Sequence, residues 1–140
     1  MPIRVQSPAM PTAKGTFDVK IAPIEAYNTD TTSKLGRMSL DKQYQGDLVG
    51  ASKGEMLSAM GEVQGSGAAV AVERVTGSIA GRNGSFSLYH VGVMVGGVPQ
   101  YWHVNISPDS GTNGLTGIKG ELKIIIEGKE HRYELEYELP

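Results

Sequence analysis

Apolar and polar residues alternate along most of this chain, and a period of two marks half-buried β-strands. The alternation predicts strands near 15–22, 36–44, 46–52, 55–60, 67–80, 85–95, 100–107, 114–126 and 130–139. Helical periodicity is poor, and its best candidate, Gly54 to Gly61, is a short Met-rich stretch that reads equally well as strand. Eight or nine strands with glycine-marked turns predict an antiparallel barrel or sandwich.

Three stretches show which side chains point inward. At the carboxy terminus Gly128-Lys129 is a two-residue turn of the Gly-X kind, which predicts a tight hairpin. That turn pairs Ile126 with His131, Ile124 with Tyr133 and Leu122 with Leu135 on one face. Arg132, Glu134, Glu136 and Glu138 fall on the other. A slip by one residue would turn the carboxylates into the core, so the register is well specified. A second hairpin is predicted at Asn83-Gly84, a strong turn dipeptide. Its inner face holds Glu73, Val75, Ile79, Phe86, Leu88, His90 and Met94, with Glu73 opposite Met94 and His90 opposite Gly77. In the third stretch, Met38, Leu40, Lys42, Tyr44 and Leu48 share a phase, which puts Lys42 in an apolar row. A buried ammonium is costly unless paired, and the inward Glu73 is its expected partner.

Length and composition narrow the picture. At 140 residues the chain is one domain's worth. It divides into a flexible amino-terminal arm, 1–14, containing Pro2, Pro8 and Pro11, and a single β-barrel or sandwich domain, 15–140. Nineteen glycines fit a turn-rich β fold, and 39% apolar residues suffice for one core. Thirteen basic and fifteen acidic residues leave a net charge of −2, which provides no footprint for nucleic acid or an anionic membrane. Without cysteine there are no disulfides, thiolate metal sites or thiol nucleophiles. No apolar run is long enough to span a bilayer, and the first residues lack an apolar signal segment, so a cytoplasmic location is expected.

Few motifs carry chemistry. Gly50-Ala51-Ser52-Lys53-Gly54 matches the nucleophile-elbow pattern, but that chemistry needs a strand–turn–helix setting. A turn between two short strands is the better account. The glycine series around Gly77, Gly81 and Gly84, and Ser110 to Gly114, lack the Lys-Ser/Thr of a phosphate loop. No histidine pair has close zinc-motif spacing, so no metal and no cofactor is expected. What remains is an inward set of Lys42, Glu73, His90 and His131. It is either a self-satisfying buried network or, with tuned proton affinities, a proton-transfer site.

The chain resembles a bacterial family of unassigned role, domain-of-unknown-function family 3224. The resemblance rests on Gly15-Thr16-Phe17, Asp41-Lys42 with Tyr44 and Gly46-Asp47-Leu48, and Glu73-Arg74-Val75 with Gly77. It continues through Gly81-Arg82, Gly84-Ser85-Phe86, His90 and Gly92, then Ser110-Gly111-Thr112, Gly114-Leu115, Gly117 and Gly120, and closes on His131, Tyr133 and Tyr137. Val104 to Asp109 departs from the more compact lead expected before Ser110, which bears on the shape of one barrel mouth. The resemblance implies an all-β, eight-stranded antiparallel closed barrel similar to that of plant allene oxide cyclase, itself compared with lipocalin-type barrels. It brings no reaction with it.

Three functional readings follow. The first is a barrel whose lumen binds a small lipophilic molecule. Its ligand-binding candidates are Lys42, Tyr44, Glu73, Phe86, Leu88, His90, His131 and Tyr133, with Met94 and Leu135 also lining the lumen. Lys42 would make the charge contact and His90 a hydrogen bond. The second is an isomerase- or cyclase-like enzyme in which Glu73 and His90 are the catalytic candidates and Lys42 their electrostatic support. The third is a homo-oligomeric structural module with a filled barrel, joined through the outer valines Val70, Val72, Val91 and Val93.

Overall fold

The structure, a computed structural model, describes residues 10–140. Eight strands follow one another around a closed antiparallel barrel: β1 (Thr12–Pro23), β2 (Leu35–Gly46), β3 (Leu48–Met60), β4 (Gly67–Ile79), β5 (Arg82–Val95), β6 (Val98–Ile106), β7 (Lys119–Glu127) and β8 (Glu130–Glu138). The ring is held by extended ladders except between β6 and β7, whose register is the single pair Asn105 with Glu121. Most of the expected arm, residues 1–9, lies outside the described residues. Thr12 to Lys14 already belong to β1, where they pair with Glu136 to Glu134 and bury Ala13.

Two element boundaries differ from the sequence reading. The stretches 46–52 and 55–60 are one strand, β3, so Gly50 to Gly54 is extended backbone and not a turn. The stretch 114–126 is divided: Asn113–Leu115 forms a single 3-10 turn, and β7 starts only at Lys119. The irregular segment from Ser107 to Ile118 folds over one end of the barrel. There Ser107 and Thr112 donate backbone N–H groups to Ser87 and Ser85, and Leu115 and Ile118 enter the core. The Val104 to Asp109 departure is the start of this cover, with Val104 and Ile106 buried at the end of β6.

The carboxy-terminal hairpin has the expected register, with Ile126 opposite His131 and Lys123 opposite Glu134. The second hairpin does not turn at Asn83-Gly84. It turns at Ala80-Gly81, both with positive φ (52° and 75°), and pairs Ile79 with Arg82. Asn83 and Gly84 lie inside β5, where the backbone of Thr112 packs on Gly84 too closely for a side chain. The displacement is an even number of positions, so both faces survive. The neighbours change, however: Glu73 stands opposite Leu88, and His90 opposite Ala71.

The barrel has two unlike halves. In the half toward the β2–β3 and β4–β5 turns, Tyr44, Leu48, Val75, Ile79, Phe86, Leu88, Tyr133 and Leu135 are fully buried, with Leu115 and Ile118 capping them. Each such side chain contributes roughly 1.5–3 kcal/mol by leaving water. In the half toward the β1–β2, β3–β4, β5–β6 and β7–β8 connections, side chains in the same inward phase lose their cover. Ile21, Trp102 and Ile126 continue the inward rows of Phe17, Val104 and Leu122, yet are 51%, 46% and 55% exposed. One end of the barrel is closed and packed, and the other opens to solvent.

Candidate functional site

The polar cluster lies between the two halves. Glu73 on β4 is opposite Gly54 on β3, and Lys42 on β2 is opposite Ser52 on β3. These pairings bring Lys42, Ser52 and Glu73 to adjacent inward positions across three strands. A Cβ at Gly54 would stand 2.8 Å from Cβ of Glu73, so only glycine lets β3 and β4 close at this point. His90 on β5 sits diagonally to Glu73, because Leu88 takes the position directly opposite.

Four side chains donate to the one carboxylate. Oε2 of Glu73 accepts from Lys42 Nζ at 2.8 Å and from His90 Nε2 at 2.7 Å. Oε1 accepts from Ser52 Oγ at 3.0 Å and from the Tyr44 hydroxyl in a short hydrogen bond. The acceptor capacity of an ionised carboxylate is thereby filled. Lys42 Nζ also lies 5.0 Å from the centroid of the Phe17 ring, within reach of a cation–π attraction. The side chains of Glu73, Lys42 and His90 are 0%, 5% and 12% exposed, so His90 is the member of this trio with most access to the open half.

Burial alone would push the Glu73 carboxyl up. The hydrogen bond from His90, the charge and hydrogen bond of Lys42 and the Tyr44 hydroxyl outweigh it and hold the group at about 2. Burial also raises Tyr44 well above the ordinary phenol range, and the adjacent negative charge of Glu73 adds to this. At neutral pH the centre is therefore a carboxylate, an ammonium opposing it, and a neutral phenol. An ionised carboxylate only accepts, so Nε2 of His90 carries a hydrogen.

The structure gathers Lys42, Tyr44, Glu73 and His90 from the sequence-predicted set and separates the others. Phe86, Leu88 and Leu135 belong to the packed half. So does Tyr133, whose hydroxyl accepts from Leu48 N at 2.9 Å and lies 2.9 Å from the carbonyl of Gln45, tying β8 to the β2–β3 turn. His131 does not join the cluster. Its ring packs on Phe17 at a centroid distance of 5.3 Å, while Phe17 also touches the Tyr44 ring on the cluster side. Met94 is exposed at the open end, beyond a register shift between Val93 and Met94. Two residues were missed. Ser52 shares the phase of Leu48, but reading 50–54 as a turn concealed it. Trp102 shares the inward phase of Val104 and Ile106, a signal present in the alternation itself.

The family described as "Protein of unknown function (DUF3224)" matches residues 13–137. The chain belongs to the DUF3224 family. A crystal structure of a DUF3224 protein of unknown function from Shewanella oneidensis MR-1 superposes with a TM-score of 0.87 at 44% identity, covering 94% of this chain and 98% of that one. No curated protein matches the chain. DUF3224 membership thus accounts for the barrel and leaves its chemistry to be argued from the cluster and the open half above it.

Proposed function

We propose that this DUF3224 protein binds a small, neutral, largely apolar molecule in the open half of its barrel, with a hydroxyl or similar donor on the ligand held by His90. The observation that carries this reading is the loss of burial along the inward rows. Above the cluster, Met38 and Met56 are only partly covered and Trp102 is half-exposed, which leaves apolar surface open in the inward phase. Methionine adapts to irregular ligand shapes. Eight strands leave just enough width either for the barrel's own side chains or for one small ligand, and the open half is where side chains do not fill it.

The floor favours a neutral ligand. The charge of Lys42 is already matched by Glu73, and both groups are buried. A ligand carboxylate would lose its hydration there without gaining a free cation. Lys42 therefore supports Glu73, Glu73 orients His90, and His90 meets the ligand.

The test titrates Trp102 emission with 1-decanol and with decanoate near neutral pH. Saturable binding of the alcohol at least about tenfold tighter than the acid is expected, since a tenfold preference needs only about 1.4 kcal/mol. His90→Phe should abolish the preference. Absence of saturable binding by either compound, or tighter binding of the acid, overturns the reading. Mass spectrometry of molecules that co-purify with the protein would then name the natural ligand.

One observation favours a second reading, isomerase- or cyclase-like catalysis on the same class of molecule: a buried carboxylate holds an imidazole at the boundary between the packed and open halves. In that reading His90 moves the proton. Glu73, ionised down to about 2, fixes the ring's orientation instead of acting as the acid or base. Conversion of a co-purified lipophile by the native protein, lost in His90→Phe, would establish it.

A further inference from the structure

The exposed large apolar side chains are not spread evenly over the barrel. Among the described residues Met10 and Val49 lie in the closed half, Val72 and Tyr89 lie on the outer wall level with the cluster, and the others lie toward the open end. The four hairpins that ring the open mouth each carry at least one: Ile24 and Tyr27 beyond β1, Val63 between β3 and β4, Val95 and Val98 flanking Gly96-Gly97, and Ile126 before Gly128. Tyr27 is fully exposed. The turns at the closed end instead present Asp47 and Ala80-Gly81.

From this asymmetry we infer that the mouth of the barrel docks on a lipid bilayer of zwitterionic headgroups, so that the pocket receives its ligand from the membrane. The inference rests on the ligand reading above. Four hairpins around one opening define a ring, the shape that an extended surface facing the open end can cover. Tyr27, Tyr101 and Trp102 add aromatic side chains with polar edges to the same rim, the residue type favoured at headgroup depth. The charge at the rim selects among lipids. Glu25, Asp30, Glu62, Glu127 and Glu130 stand against Lys34, Arg37, Lys129 and Arg132, with Lys34 paired to Glu62 and Arg132 to Glu127, a nearly balanced rim without the cationic excess that draws a protein to an anionic surface. Among the described residues no helix is long and apolar enough to cross a membrane, and the contact inferred here is peripheral and made by loop tips. The net charge of the chain, which speaks only to anionic membranes, leaves a neutral surface open to it.

The experiment uses the full chain with phosphatidylcholine vesicles, read by flotation and by the emission of Trp102, the single tryptophan in the sequence. The expected result is co-flotation with a blue shift. The Tyr27→Asp/Val63→Asp/Val98→Asp variant should partition at least about tenfold more weakly while keeping its circular dichroism and melting temperature. Binding of the neutral probe N-phenyl-1-naphthylamine without vesicles is measured beside it and should be the same in both proteins. Probe binding without flotation overturns the docking alone, and loss of both overturns the ligand reading as well. Flotation only with anionic phosphatidylglycerol vesicles, flotation indifferent to the triple variant, or sedimentation showing that a second copy covers the rim would each overturn it too.

Discussion

Lys42 Nζ and Glu73 Oε2 lie 2.8 Å apart inside the barrel, on strands that are not neighbours, with β3 between them. The pair is shielded from water, so its value depends on both members being present. Removing one partner of a buried ion pair costs roughly 3–5 kcal/mol, because the other is left uncompensated. Replacing both by neutral side chains costs much less.

Glu73→Gln is therefore expected to lose about 3–5 kcal/mol of unfolding free energy, a large share of the roughly 5–15 kcal/mol of a typical domain. The Lys42→Met/Glu73→Gln double variant should recover part of that loss. Urea titration of the single and double variants closes the cycle, and additive losses would show that the two groups do not act as a pair.

The depressed Glu73 carboxyl sets a pH dependence. Its proton affinity falls from an ordinary value of 4.5 to about 2 on folding. The associated stability is thus fully present above about pH 5 and is lost as pH falls toward 2. The difference corresponds to something on the order of 3 kcal/mol. Melting curves between pH 6 and pH 2.5 should show a steeper acid decline for the native protein than for Glu73→Gln, and parallel declines would refute the assignment.

Tyr133→Phe tests the tie across the closed end. It leaves the buried N–H of Leu48 without the oxygen it donates to, at a cost of about 1–3 kcal/mol. Hydrogen exchange at the Leu48 amide should accelerate along with the loss of stability, whereas unchanged protection would mean the backbone finds another acceptor.

Gly54→Ala tests the close approach of β3 to Glu73. The new Cβ would run into the backbone carbonyl of Val72 and sit 2.8 Å from Cβ of Glu73, and the strain of overpacking is at least about 1–3 kcal/mol. Gly61→Ala is the control, since nothing lies nearer than 3.6 Å to its Cβ position. Denaturant midpoints should fall for the first and hold for the second.

Much of the site was legible before any coordinates. Period-two alternation placed Lys42, Tyr44, Glu73 and His90 on the inner face, and an even displacement of the β4–β5 hairpin left that assignment intact. The same alternation carries an inward signal for Trp102 that the candidate set left out. It did not reveal that Asn83-Gly84 lies within a strand, because Ala80-Gly81 supplies the two positive-φ residues of the turn while Gly84 is required by the backbone of Thr112. Nor did it expose Ser52, hidden in a glycine-rich stretch that reads as a turn until its pairing with Lys42 is known.

The sequence by itself determined the parity of each strand and hence which charges enter the interior, since each side chain's face follows from a local period. Distances around the closed barrel were decided only by the tertiary structure. Whether His90 or His131 reaches Glu73, and whether Phe86 and Tyr133 line a cavity or fill a core, depends on register and on the cover formed by Ser107 to Ile118. Those contacts join residues far apart in the chain, and no local pattern encodes them.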